Sequence, residues 1–252
     1  MKRRIPVLQF AVFFAFVGSV VGLGAETSVT SAPEGWTTAA PRDEIRPQFA
    51  FDAKGGPGGT GRFIIRADQR EGLDGWWKKT FPIQGGRYYR FEAACKTSGD
   101  LVPRRSIVPM IRWQDDRGRQ VPRDEPTVTS YLRGATAMAE TEFPAPKGTK
   151  ADGWTQFSDI YRAPGKATRA VVELHLQWAV NSEVRWSSVS LAESVAPATR
   201  KVRLAAVHFR PQGGRTPMDN CRMYEPLIAE AAGQKADLVV LGETVPSIGM
   251  GK

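Results

Sequence analysis

Between Val171 and Trp178 the chain alternates without a break: Val172, Leu174, Leu176 and Trp178 fall on one side, Glu173, His175 and Gln177 on the other. A period of two is that of an extended strand, whose successive side chains point to opposite faces. One apolar and one polar face is the pattern of an antiparallel sheet packed on one side only. Comparable runs recur at Arg62–Arg66, Arg87–Cys95, Ser106–Trp113, Trp154–Tyr161, Arg169–Val180 and Glu183–Leu191. In the second of these, Tyr89, Phe91, Ala93 and Cys95 share one face, opposite Arg90 and Glu92. Turn-forming residues separate the runs and no convincing helix lies between them, so Trp36 to Glu193 is expected to be a β-sandwich or jelly roll. The Pro/Gly/Thr-rich stretch from Val121 to Lys150 reads as a long edge-crossing loop.

Composition agrees with a globular chain large enough for two domains: 252 residues, 41% hydrophobic and 24% charged, with 25 Gly and 18 Pro. The formal net charge of +9 includes Lys2, Arg3 and Arg4. These three precede the apolar stretch Val7–Val21 and the small residues Gly22–Ala25, the arrangement of a signal peptide over residues 1–25. Export to the periplasm or beyond is the expected location, with an uncleaved membrane anchor as the alternative. Glu26–Gly35 is a tether. The remaining basic residues are scattered among acids and form no stripe or nucleic-acid motif, so nucleic acid is not an expected partner. Cys95 and Cys221 fall in different segments and are read as independent free thiols. No Cys/His or carboxylate cluster with metal-ligand spacing is present, and neither metal nor cofactor is expected.

After the linker 194–200 the pattern changes. Val202 to Phe209 is nearly continuous in apolar residues, as for a strand buried on both faces. Thr216-Pro217 starts a helix, and Tyr224, Leu227, Ile228, Ala231 and Ala232 give it one apolar stripe. Pro226 should kink or split that helix, and Gly233 should end it. Asp237-Leu-Val-Val-Leu-Gly-Glu243 then forms a second buried strand. A crossover of this length predicts a parallel strand–helix–strand unit.

Two family resemblances follow from these motifs. Gly72–Trp77 (Gly-Leu-Asp-Gly-Trp-Trp), Gly85–Ala93, Gly153–Phe157, Arg162–Gly165 and Val184–Leu191, in that order, resemble a carbohydrate-binding, galactose-binding-like jelly roll over residues 36–193. Ala205–His208 (Ala-Ala-Val-His), Ala229–Ala232 (Ala-Glu-Ala-Ala) and Ala236–Glu243 (Ala-Asp-Leu-Val-Val-Leu-Gly-Glu) resemble the opening of the nitrilase, or carbon–nitrogen hydrolase, superfamily. Gly242 and His208 depart from its usual Pro and Gln. The fold implied is an all-β jelly-roll sandwich followed by a truncated βαβ start, residues 201–252, of an α/β (α-β-β-α) hydrolase domain.

The second resemblance implies an amidase or nitrilase with a Glu-Lys-Cys mechanism and a small amide or nitrile substrate. Glu243 takes the place of its general base, which needs a buried setting to work near neutrality. The Lys and Cys are expected beyond Lys252, so the 252-residue chain alone is expected to be inactive. Homo-oligomerisation of a longer form stays open. The first resemblance implies the alternative function, a secreted carbohydrate-binding module without catalysis. Its candidate ligand residues are Trp76, Trp77, Glu173, His175 and Gln177. Trp76 and Trp77 are adjacent, so at most one points inward. Trp113, Trp178 and Trp186 are assigned to the core. The face carrying Glu173, His175 and Gln177 either binds a polyol or is simply solvated.

Overall fold

The computed structural model describes residues 31–102, 104–124 and 136–248. The signal segment and the start of the tether lie outside them. The chain falls into two compact units that divide between Ala196 and Pro197.

Among the described residues the first unit contains ten strands: β1 (Trp36–Ala39), β2 (Gln48–Asp52), β3 (Arg62–Arg66), β4 (Asp74–Pro82), β5 (Tyr88–Ser98), β6 (Ile107–Gln114), β7 (Pro146–Thr149), β8 (Thr155–Arg162), β9 (Arg169–Gln177) and β10 (Glu183–Ser194). They form a four-stranded sheet in the order β1-β4-β9-β6 and a six-stranded sheet in the order β2-β3-β10-β5-β8-β7, antiparallel throughout. The chain passes repeatedly between the sheets, giving a jelly-roll-type sandwich. The stretch expected as one long loop from Val121 to Lys150 contains β7 and isolated bridges at Pro122, Met138 and Glu142. Its edge position lets a strand containing Pro146 pair along one side.

The core lies between the sheets. Trp77, Ile111, Trp113, Val172, Leu174 and Leu176 project from the smaller sheet, and Phe63, Ile65, Phe91, Phe157, Val184 and Trp186 from the larger. Every one of these sits at an apolar phase of its strand, which is why period-two patterning places them inside. In β10 that phase slips. Ser188 and Val189 together oppose Ala93, a β-bulge with Ser188 at φ +52°, and the apolar residues change from Val184 and Trp186 to Val189 and Leu191.

The second unit pairs β11 (Leu204–Ala206) with β12 (Leu238–Val240) in parallel and connects them by α1 (Pro217–Gly233). Thr216 caps α1. Its hydroxyl accepts from the Asp219 backbone N–H at 3.2 Å, and the Asp219 carboxylate accepts from the Thr216 N–H at 3.0 Å. Thr216→Ala is expected to cost the helix about 1 kcal/mol, seen as faster amide exchange across its first turn. The helix continues through Pro226 rather than splitting there, and the left-handed residue after it is Lys235, at φ +59°, not Gly233. The strands are not buried on both faces as their apolar runs predict. Leu204, 64% exposed, and Leu238 form one register pair, and Val240 on the same face is also exposed. Two strands and one helix cover only one side of such a sheet.

Candidate functional site on the four-stranded sheet

Directly paired residues on antiparallel strands share a face. Register therefore brings Trp76 of β4 beside His175 of β9, with Val108 of β6 beyond it, and sets Lys78 and Met110 on either side of Glu173. Asp74 pairs with Gln177 in the next row. Four of the five candidate ligand residues, Trp76, Glu173, His175 and Gln177, thus lie together on the side of the sheet away from the core. Trp77 does not. It points inward among Phe49 and Phe63 and donates its indole N–H to the Ile64 carbonyl at 3.1 Å. It leaves the candidate set because the pleat that turns Trp76 outward turns its neighbour in.

The polar face is not merely solvated. Glu173 is 6% exposed and His175 4% exposed. The Trp76 ring lies nearly parallel to the His175 imidazole, with centroids 4.6 Å apart and planes at 20°. The Glu173 carboxylate lies 3.2 Å from His175 Nε2 and 3.3 Å from Arg112 Nε. His175 Nδ1 lies 3.6 Å from Asp74 Oδ1, beyond a hydrogen bond but within strong electrostatic reach. A row of charges, Asp74–His175–Glu173–Arg112, therefore crosses three strands. Burial works against a charged imidazole, yet the Asp74 and Glu173 carboxylates outweigh it and hold the His175 pKa above its ordinary 6.5.

Three polar atoms on this face make no hydrogen bond within the protein: Trp76 Nε1, Asp74 Oδ1 and His175 Nδ1. Buried polar atoms left in this state are costly and uncommon. On its other flank Trp76 pairs with Ala39 of β1, at the sheet edge.

The structure also moves one tryptophan out of the core. Extending the alternation of β9 places Trp178 inside with Leu174 and Leu176. The strand instead ends at Gln177, and Trp178 adopts φ +52°, a conformation unusual for a bulky residue. Its N–H is held by the Leu73 carbonyl at 2.8 Å and its side chain is 53% exposed. Trp113 and Trp186 are in the core as their alternation predicts, and Trp113 donates to the Glu142 carboxylate at 3.2 Å. Cys95 faces the core, where burial pushes its thiol up to about 12, so it is an unreactive packing group. Both cysteines are free.

No family model matches the sequence, and no curated protein matches it. Solved structures do. The enzymatically active domain of tailspike protein 4 from bacteriophage CBA120 is 14% identical, over 64% of this chain and 20% of that one, with a TM-score of 0.44. The CBM22-1–GH10 modules of Clostridium thermocellum xylanase 10B, complexed with xylohexaose, are 14% identical over 68% of this chain and 30% of that one, with a TM-score of 0.43. A family 16 carbohydrate-binding module is 12% identical over 58% of this chain and 86% of that one, with a TM-score of 0.41. The chain spans less than a third of the length of the first two.

The carbon–nitrogen hydrolase expected from Ala205–Glu243 is overturned. No family model supports it, and the matches include carbohydrate-binding modules and no such hydrolase. Glu243, its expected base, is exposed on the turn that follows β12 rather than sunk in a crevice. Cys221 lies on α1, within the helix expected from Thr216-Pro217 onward.

Proposed function

We propose that this protein binds carbohydrate, without catalysing a reaction, through the outer face of its four-stranded sheet. The observation that carries the reading is Trp76. Its half-buried indole stands on an outward sheet face, stacked on His175 and paired in register with the small Ala39 of the edge strand. An apolar ring face of this kind suits the C–H face of a pyranose, which presents apolar surface to an aromatic ring and hydroxyls around its edge. Those hydroxyls both donate and accept. The face offers both kinds of partner: the Asp74 and Glu173 carboxylates, the Arg112 guanidinium, Lys78 and the Gln177 amide. His175 acts as a positioning residue, holding the indole in place while its own charge is held by Asp74 and Glu173. The exported location expected from the N-terminal segment places such a protein where glycans are met.

The test is calorimetric titration with xylohexaose and cellohexaose. At least one hexaose is expected to bind the intact protein, and Trp76→Ala to weaken that binding about tenfold or more, the equivalent of about 1.4 kcal/mol. Trp76→Phe should retain part of the affinity. Unchanged binding in Trp76→Ala sinks the proposal.

A further inference from the structure

Beyond the sheet face, the loops at the end of β9 surround a shallow depression of ≈ 540 Å³. Trp178 forms part of its wall, together with Glu71, Gly72, Asp100, Arg105 and Val180. β9 ends at Gln177, about 7 Å along the strand from His175, and Trp178 lies on the loop past that end. The two aromatic positions are separate.

The position of Trp178 is built rather than incidental. Its backbone N–H is tied to Leu73 across the loop, and three residues on the chain is tied again, where Asn181 N–H reaches the Asp68 carbonyl at 2.9 Å. The Arg105 backbone is anchored as well, because its carbonyl accepts from the Gln177 side chain at 2.8 Å. That anchor sets the Arg105 guanidinium 5.7 Å from the centre of the Trp178 ring. A bulky residue held at φ +52° stores strain, and packing does not explain it, since more than half of the indole remains in solvent.

We propose that this depression is a second carbohydrate site, taking one neutral pyranose. The chemistry of its wall selects that class. An exposed indole offers a surface for stacking. The Glu71 and Asp100 carboxylates accept hydrogen bonds from hydroxyls, and the Arg105 guanidinium donates to them. A cationic ligand is disfavoured, because Arg105 already occupies the cation position over the ring. An anionic ligand meets two carboxylates. A neutral polyol suits donors and acceptors together. The site shares its ligand class with the sheet-face reading but no lining residue, the one link between them being the Gln177 amide that anchors the Arg105 backbone.

The seven indole N–H signals in a ¹⁵N-correlated spectrum provide the readout. Trp178→Phe identifies the Trp178 signal. Titration with xylose, glucose and xylohexaose to about 50 mM extends past the millimolar dissociation constants of weak single-site binding. The Trp178 signal is expected to shift saturably with at least one of these sugars, and to do so equally in Trp76→Ala. Asp100→Asn, an exposed substitution that leaves the core untouched, is expected to weaken that response about threefold to tenfold. A Trp178 signal that stays still across the panel, or that moves only while Trp76 is intact, overturns the second site. Movement or stillness of the Trp76 signal in the same spectra reports separately on the sheet face.

Discussion

Trp186→Ala is expected to destabilise the sandwich by about 3–5 kcal/mol, the range for emptying a fully enclosed aromatic position. Trp186 is 0% exposed, sits in register between Phe63 of β3 and Cys95 of β5, and packs on Phe157 with ring centres 5.4 Å apart. It comes from the central part of the larger sheet, so the gap left by its removal has strands on both sides and little freedom to collapse. A single domain is stabilised by about 5–15 kcal/mol in total, so the variant is expected to lose a large share of its stability. Urea unfolding followed by far-ultraviolet circular dichroism measures the loss as a lower midpoint at constant slope. Trp178→Ala is the matched control. The same chemical change at an exposed position is expected to move stability by no more than about 0.5 kcal/mol. Equal losses at the two sites would mean that the interior and the rim had been assigned the wrong way round.

The next largest effect is expected at Glu173. Glu173→Gln removes the charge that His175 and Arg112 share and should cost about 1–3 kcal/mol, because the imidazole stays buried with Asp74 alone as its counter-charge. The loss depends on pH with a definite sign. The folded-state pKa of His175 is raised above 6.5, so its protonation favours the folded protein. That contribution is complete below about 6.5, the unfolded value, and disappears as pH rises through the raised folded value. In Glu173→Gln the His175 pKa should fall, so the difference in stability between variant and parent should be largest near pH 6 and shrink toward pH 9. His175 titration by NMR and urea midpoints at the two pH values test this together. An unchanged His175 titration in the variant would show that the carboxylate does not govern the imidazole.

The two contrasts bear on what alternation in a sequence can reveal. Val172, Leu174 and Leu176 are core residues because their phase along β9 leaves them no other face. The same phase points Trp178 inward only if the strand continues. Whether it does is settled by the Leu73 carbonyl, more than a hundred residues earlier in the chain, which captures the Trp178 N–H and turns the backbone. No local pattern carries that information. The bulge in β10 differs, since its apolar phase slips from Trp186 to Val189 in the sequence itself and only the pairing with Ala93 was needed to interpret it.

The outer face of the small sheet shows a similar division. Alternation alone separates Glu173, His175 and Gln177 from the core. It does not say that they are buried, or that Trp76 covers His175 and Arg112 reaches Glu173. Those contacts come from the register of three strands that are distant in sequence, β4, β6 and β9. In the second unit the helix cap and the parallel crossover were legible at Thr216, Asp219 and the two apolar runs. The setting of Glu243 was not, because exposure depends on what packs around a strand tip and not on the strand's own composition.

By itself, then, the sequence determined the local periods, and with them most of the strands, the core phase within each and the capped helix, since these depend on side-chain spacing along one segment. The tertiary structure alone decided which tryptophans face solvent and which polar residues meet. It brought Trp76 onto His175 and set Arg105 above Trp178, because strand register and loop closure join residues that no local pattern relates.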